Sequence, residues 1–189
     1  RMKNPLSYKN LSNKIKMEES QWKAIKPTEV KNAVELFDKD WLVLAAGKEG
    51  DFNGMTISWG QMGELWNKPI ITVYVRDSRY TKEFMDKYDH FTVSAFPRTY
   101  RKAMSYIGSH SGRDGDKIAV AGVHPESTAK GNITFKEASL CIECKTIYKK
   151  RIDINDMAEE VRKVYADGDI HTVYVGEIVN VMERQTHEY

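Results

Sequence analysis

Trp41-Leu42-Val43-Leu44-Ala45-Ala46, closed by Gly47, is the stretch that decides the fold. A continuous apolar run of this length, too short for a helix to span a bilayer and without polar alternation, describes a strand covered on both faces. The surrounding sequence keeps the pattern of a sheet. Gly54 to Gln61 and Ile70 to Arg76 read as strands separated by a turn at Asn67-Lys68-Pro69, and His90 to Phe96 is a further β-rich stretch. Ser139 to Tyr148 alternates. Thr172 to Met182 is a long strand, with Val173, Val175, Val179 and Val181 on one face and Tyr174, Gly176 and Asn180 on the other. Helices are expected at Thr81 to Tyr88, at Thr99 to His110 and at Asn155 to Tyr165. The second gathers Ala103, Met104 and Ile107 on one face, the third Met157, Val161 and Val164. Strands outnumber helices and do not alternate with them as βαβ units, so the pattern predicts a mainly β chain, an antiparallel barrel with peripheral helices.

The chain has 189 residues, the length of one domain with appendages. Apolar residues make up 41% and aromatics 11%, enough to bury a core and too many for a disordered chain. Lys plus Arg number 29 against 27 Asp plus Glu, a net charge of +2. That balance argues against a nucleic-acid partner held by bulk charge and leaves room for a local basic pocket. Mean hydropathy is -0.58, and no window approaches the ~18 apolar residues of a spanning helix, so no membrane partner is expected. Two cysteines cannot build a disulfide scaffold, and no signal-peptide pattern opens the chain, so a cytoplasmic setting is expected. Arg1 precedes Met2, which is read as the native start. Residues 1–30 are Lys-rich and polar, with Trp22 and Ile25 as anchors before Pro27, and read as an arm on a body of residues 31–189.

Several site types are excluded by spacing. Gly47, Gly50 and Gly54 do not match G-x-G-x-x-G, and Gly108-Ser109-His110-Ser111-Gly112-Arg113 lacks the Lys-Ser/Thr of a P-loop. Cys141 and Cys144 have the C-x-x-C spacing but lie in a strand, where positions three apart face opposite ways, so packing is their expected role. Asp114 with Asp116, and Asp167 with Asp169, lack the remaining ligands of a calcium loop and read as turn chemistry. The five histidines form no H-x-x-x-H or H-E-x-x-H pattern, so no metal is expected.

Two constellations carry chemistry. Arg76-Asp77-Ser78-Arg79-Tyr80-Thr81 ends a strand and opens a short helix. Unpaired N–H groups, two guanidinium groups and two hydroxyls at that point suit a phosphate dianion, although Asp77 opposes it. The alternative is a helix cap, with Ser78 or Thr81 as N-cap and the arginines solvated. Asn53-Gly54-Met55-Thr56-Ile57-Ser58-Trp59-Gly60 sets small polar groups between apolar ones and could lay its backbone along a planar heteroaromatic ligand. Its alternative is a hairpin strand with one buried Trp.

Taken in order, Asn53-x-Met55-Thr56-x-Ser58-Trp59-Gly60, Trp66-Asn67-Lys68-Pro69 and Arg76-x-Ser78-Arg79-Tyr80-Thr81 resemble the flavin reductase-like family of FMN-binding split-barrel proteins, and its flavoredoxin-type branch in particular. The likeness continues through Ser111-Gly112-Arg113-Asp114-x-Asp116-Lys117 and His171-x-x-Tyr174-x-Gly176-Glu177-Ile178, and spans about residues 27 to 183. It implies a six-stranded antiparallel Greek-key split barrel that forms a homodimer, with FMN near the subunit interface. It implies that Met55, Thr56, Ile57, Ser58 and Trp59 border the ring and that Arg76, Ser78, Arg79 and Thr81 hold the phosphate, with Asn53 and Tyr80 also in the cofactor site. The loop of Ser111, Gly112, Arg113 and Asp114 would close over the cofactor. His171 would face the open side of the flavin as the candidate catalytic residue; a strand-edge histidine bonded to solvent is its alternative reading. The implied activity is an oxidoreductase carrying electrons from NAD(P)H or a redox protein through FMN to an acceptor. A flavoredoxin-like carrier without NAD(P)H activity, and a non-catalytic flavin-binding protein, are the other readings.

Overall fold

The computed structural model describes residues 22–30 and 32–185. Most of the expected arm, residues 1–21, lies outside them. The strands are β1 (Trp22–Ala24), β2 (Leu42–Lys48), β3 (Asp51–Ile57), β4 (Gly60–Leu65), β5 (Lys68–Arg76), β6 (His90–Ala95), β7 (Pro125–Ser127), β8 (Ile133–Phe135), β9 (Leu140–Arg151) and β10 (His171–Arg184). The helices are α1 (Ala33–Glu35), α2 (Thr81–Lys87), α3 (Arg101–Ser109), α4 (Lys117–Val120) and α5 (Glu159–Arg162).

One antiparallel sheet runs in the order β3-β2-β6-β9-β10-β5-β4, with β1 added to β10. Its end strands, β3 and β4, follow one another in sequence and are joined only by Ser58-Trp59. The sheet therefore curls until its two ends are linked by a peptide segment rather than a ladder, which is the split of a split barrel. This link divides the stretch from Gly54 to Gln61, expected as one strand, into two. With β1 it brings the sheet to eight strands rather than six, and β7 and β8 form a separate ribbon. The chain can leave the barrel at Trp59 because Gly60 follows, where a Cβ would come within 2.3 Å of the Phe37 ring.

The run that set the fold is covered on both faces. Leu42, Leu44 and Ala46 point into the barrel with Ile71, Val73, Phe91, Ile142 and Tyr174. Val43 and Ala45 point outward under Met104 and Ile107 of α3 and against Ile133 and Phe135 of β8. Cys141 and Cys144 are free and buried, as packing requires.

Three local readings are corrected. The β4–β5 turn sits at Trp66-Asn67, both with left-handed φ (53° and 56°), the geometry of a two-residue hairpin; Lys68 and Pro69 already belong to β5. The face assignment of β10 fails because its ladder with β9 shifts register at Val175/Gly176 and again at Ile178/Asn180. Tyr174, Ile178 and Val181 consequently share the interior, while Val173 and Val179 do not. Asn155 to Tyr165 is not one helix: Met157 and Ala158 are extended, α5 has a single turn, and Val161 and Val164 stay exposed. Among the described residues, no helix is long and apolar enough to cross a membrane.

Candidate functional site

The antiparallel pairing of β5 and β10 sets His171 directly opposite Arg76, at one end of the barrel and beside the Ser58-Trp59 link. These residues, with Met55, Thr56 and Ile57 of β3 and Ser78, Arg79, Asp167 and Asp169, line a cleft of about 420 Å³. Arg79, Ser78 and Met55 also line an adjoining pocket of about 160 Å³, completed by Asn53, Tyr80, Thr81, Ser109, His110, Ser111 and Lys117. The cleft thus continues, through Met55, Ser78 and Arg79, into a small polar recess.

The recess is built on the C-terminal end of α3. The last carbonyls of a helix have no partner within it, and that end carries partial negative charge. Arg79 donates from Nη2 to Gly108 O at 2.8 Å, and Lys117 donates from Nζ to Ile107 O at 2.8 Å and His110 O at 2.9 Å. One helix end therefore holds two cations side by side. Burial pushes the Lys117 ammonium down to about 8, and the Arg79 cation adds to the effect. The Arg79 guanidinium is also held below its ordinary range, chiefly by burial. Two partly dehydrated cations beside the Thr81, Ser109 and Ser111 hydroxyls are chemistry that would suit a small anion such as a terminal phosphate.

The residues expected to hold that phosphate divide into two groups. Arg79 and Thr81 line the recess, where Thr81 accepts a hydrogen bond from Asn53 Nδ2 at 2.8 Å; α2 has Tyr80 as its N-cap and no side-chain cap. Arg76 instead donates to Asp167 Oδ2 at 3.1 Å and to Asp169 O at 3.0 Å. Ser78 lines both cavities and donates from its backbone N–H and its hydroxyl to Asp169 at 3.0 and 2.6 Å. Burial opposes the Asp169 charge, but the bonds from Ser78 and the nearby Arg76 outweigh it and keep the carboxyl ionised. Tyr80 lines the recess and stacks edge-on against Phe84.

The loop after α3 contributes unevenly. Ser111 reaches the recess. Gly112 packs so tightly that a Cβ would come within 2.2 Å of Asn53 Oδ1. Arg113 donates to Ser78 O at 3.1 Å and to Glu83 at 2.5 Å, with its guanidinium 4.8 Å from the Tyr80 ring centre. Asp114 is exposed and lines neither cavity.

His171 is buried, with Nδ1 2.8 Å from the Tyr165 hydroxyl. Burial first, and the Arg76 guanidinium second, hold its imidazole below the ordinary histidine range, so it is neutral at pH 7. Trp59 stands 5.4 Å from it, ring centre to ring centre, and is 52% exposed at the cleft mouth.

Sequence reasoning assigned no role to Lys117 or Tyr165 and read Asp167 and Asp169 as turn residues. Lys117 left a faint signal: a lone cation opening the apolar run Ile118-Ala119-Val120, directly after the N-cap Asp116.

The curled antiparallel sheet, with its end strands joined by Ser58-Trp59 and a cleft at that link, is a split barrel. The chain belongs to the flavin reductase-like family, since the family model for the flavin reductase like domain matches residues 36–189. No curated protein matches. Among solved structures, the chain is similar to a flavoredoxin from Methanosarcina acetivorans, with 22% identity over 88% of this chain and 78% of that one at a TM-score of 0.64. It is similar to the flavoredoxin of Desulfovibrio vulgaris (Miyazaki F), with 22% identity over 85% and 77% at 0.62. An FMN-binding domain of a flavin reductases-like enzyme from Shewanella baltica OS155 gives 18% identity over 87% and 78% at 0.63. At these identities the likeness is one of fold.

Proposed function

We propose that this chain is an FMN-dependent oxidoreductase of the flavin reductase type, moving electrons from NAD(P)H or a redox protein to a second acceptor. The observation that carries the reading is the continuity of the cleft with the dicationic recess through Arg79. A terminal phosphate suits the recess, with Arg79 and Lys117 holding it and Thr81, Ser109 and Ser111 in reach. Met55 to Trp59 would border the ring. When bound, the flavin supplies the redox chemistry. The chain's part is to orient it, exclude water, and offer fixed polar contacts, His171 among them. No acid or base is needed beside the ring, which accounts for the lack of a recognisable triad.

Anaerobic stopped-flow mixing of the flavin-loaded protein with NADH and with NADPH tests this. Rapid loss of the flavin's visible absorbance is expected; a flavin that only dithionite reduces would contradict the reductase reading. That outcome would favour an electron carrier, for which the half-exposed Trp59 at the mouth is a suitable contact for a partner protein. We also infer a homodimer working in the cytoplasm. The edge strand β4 and its hairpin leave Leu65 and Trp66 exposed beside the exposed Tyr148 of β9, apolar surface that a second copy could cover.

A further inference from the structure

The segment from Met157 to Ile170 leaves most of its side chains exposed, yet it buries Tyr165 against His171. The His171 ring lies among three aromatics: Trp59 at 5.4 Å, Tyr165 at 5.5 Å and Tyr74 at 6.3 Å between ring centres. Its Nδ1 edge meets the Tyr165 hydroxyl at 2.8 Å. Nε2 has no protein partner among the described residues and is not sealed from solvent, and the side chain lines the cleft. We propose that Tyr165 is a positioning residue: its hydroxyl donates to Nδ1, fixes His171 in the Nε2–H tautomer, and so turns the imidazole into a hydrogen-bond donor facing the cleft.

The direction of the bond follows from what each group can do. Nδ1 is the sole hydrogen-bond partner of the Tyr165 hydroxyl among the described residues. Were the oxygen to accept from Nδ1–H, its own proton would be left without a partner in a buried position. Donation satisfies both atoms. Burial raises the phenol above its ordinary range, so the proton stays on Tyr165, and the neutral imidazole has only one N–H to place. Arg76 steadies the arrangement, with its guanidinium 5.7 Å from the Tyr165 ring centre and Nη1 donating to Asp169 O at the far end of the same loop.

The consequence is a selectivity. An Nε2–H group recognises an acceptor oxygen, so the cleft favours planar molecules with a carbonyl at the edge, such as a carboxamide or a quinone. The opposite tautomer would favour an N–H edge instead. The selectivity rests on the reading of the cleft as a redox site; the tautomer does not.

Long-range ¹H–¹⁵N correlation spectra of the flavin-free protein, labelled at histidine nitrogen and assigned by the signal lost in His171→Asn, test the tautomer directly. The wild type is expected to show Nε2 protonated and Nδ1 not, with the Tyr165 hydroxyl proton coupled to Nδ1; Tyr165→Phe is expected to populate both tautomers. A protonated Nδ1 in the wild type, or a Tyr165→Phe spectrum unchanged from wild type, would overturn the proposal. Should Tyr165→Phe fail to fold, the presence or absence of the hydroxyl-to-Nδ1 coupling in the wild type decides it. Loading the folded variant with FMN then separates the two readings. Retained FMN affinity, with reduction by nicotinamide slowed several-fold, supports the selectivity. FMN binding that fails in the wild type, while the tautomer stands, sinks the redox-site reading alone.

Discussion

Lys117 and Arg79 repel one another and are both partly stripped of water, so without a bound anion their charges are held by the carbonyls at the end of α3 and, for Arg79, by the Asp169 carboxylate. A charge-assisted contact contributes about 1.5–3 kcal/mol, so Arg79→Ala is expected to weaken FMN binding on the order of tenfold to a hundredfold while riboflavin, which lacks the phosphate, changes little. Fluorescence titration of both ligands checks this, and equal losses would make Arg79 a support of the fold. His171→Ala is expected to show the reverse, with FMN retained and reduction by nicotinamide slowed in stopped-flow traces. Lys117 carries a pH signature. Below about 8 it is charged in both folded and unfolded chains; between there and the ordinary lysine value the unfolded chain binds more protons, so flavin-free stability rises with pH through that window. An anion in the recess would bind the charged form, so FMN affinity is expected to be full below about 8 and to decline above it. Urea unfolding and FMN titration at about pH 7 and about pH 9.5 test both slopes, and both are expected to vanish in Lys117→Met. The Arg76 to Thr81 stretch was legible because its polar residues are contiguous in sequence, although the Arg79 guanidinium bonds to Gly108, 29 positions on. Lys117 was not, because its role arises only where the chain folds back on α3, and the ties of Arg76 and Ser78 to Asp169 cross more than ninety positions.

Elements with a strong period were legible and those with a hidden irregularity were not. The Trp41 to Ala46 run gave its strand, and Ala103, Met104 and Ile107 gave α3, because burial on those faces is uninterrupted. β10 alternates well enough to read as a strand, but two register shifts disrupt its faces, and the strand-interior Gly176 is the one hint of a bulge in its sequence. Gly176 lies at the first shift and meets the core: a Cβ there would stand 2.5 Å from Phe91 and 2.8 Å from the Cys144 Cβ. Gly176→Ala is therefore expected to destabilise the fold by about 1–3 kcal/mol, read as a lower urea midpoint, with FMN affinity of the folded fraction unchanged. The false helix from Asn155 to Tyr165 had apolar residues at helical spacing and nothing to pack them on; only Tyr165, at its end, found a partner.

At the scale of the whole molecule, the curled sheet brings its first and last strands together at the two-residue link, and the cleft opens there because no ladder closes it. Light scattering is expected to show a homodimer, with β4 and its hairpin buried; a monomer that still holds FMN tightly would remove any role for the second copy in the site. The central claim is that recess and cleft together hold one flavin by its phosphate and its ring. Titrating the flavin-free protein with FMN, riboflavin and FAD, side by side at about pH 7, tests it most directly. FMN is expected to bind about tenfold or more tighter than riboflavin, and tighter than FAD, whose phosphate continues into a second nucleotide. Riboflavin binding as tightly as FMN, or no binding of any of the three, would contradict it.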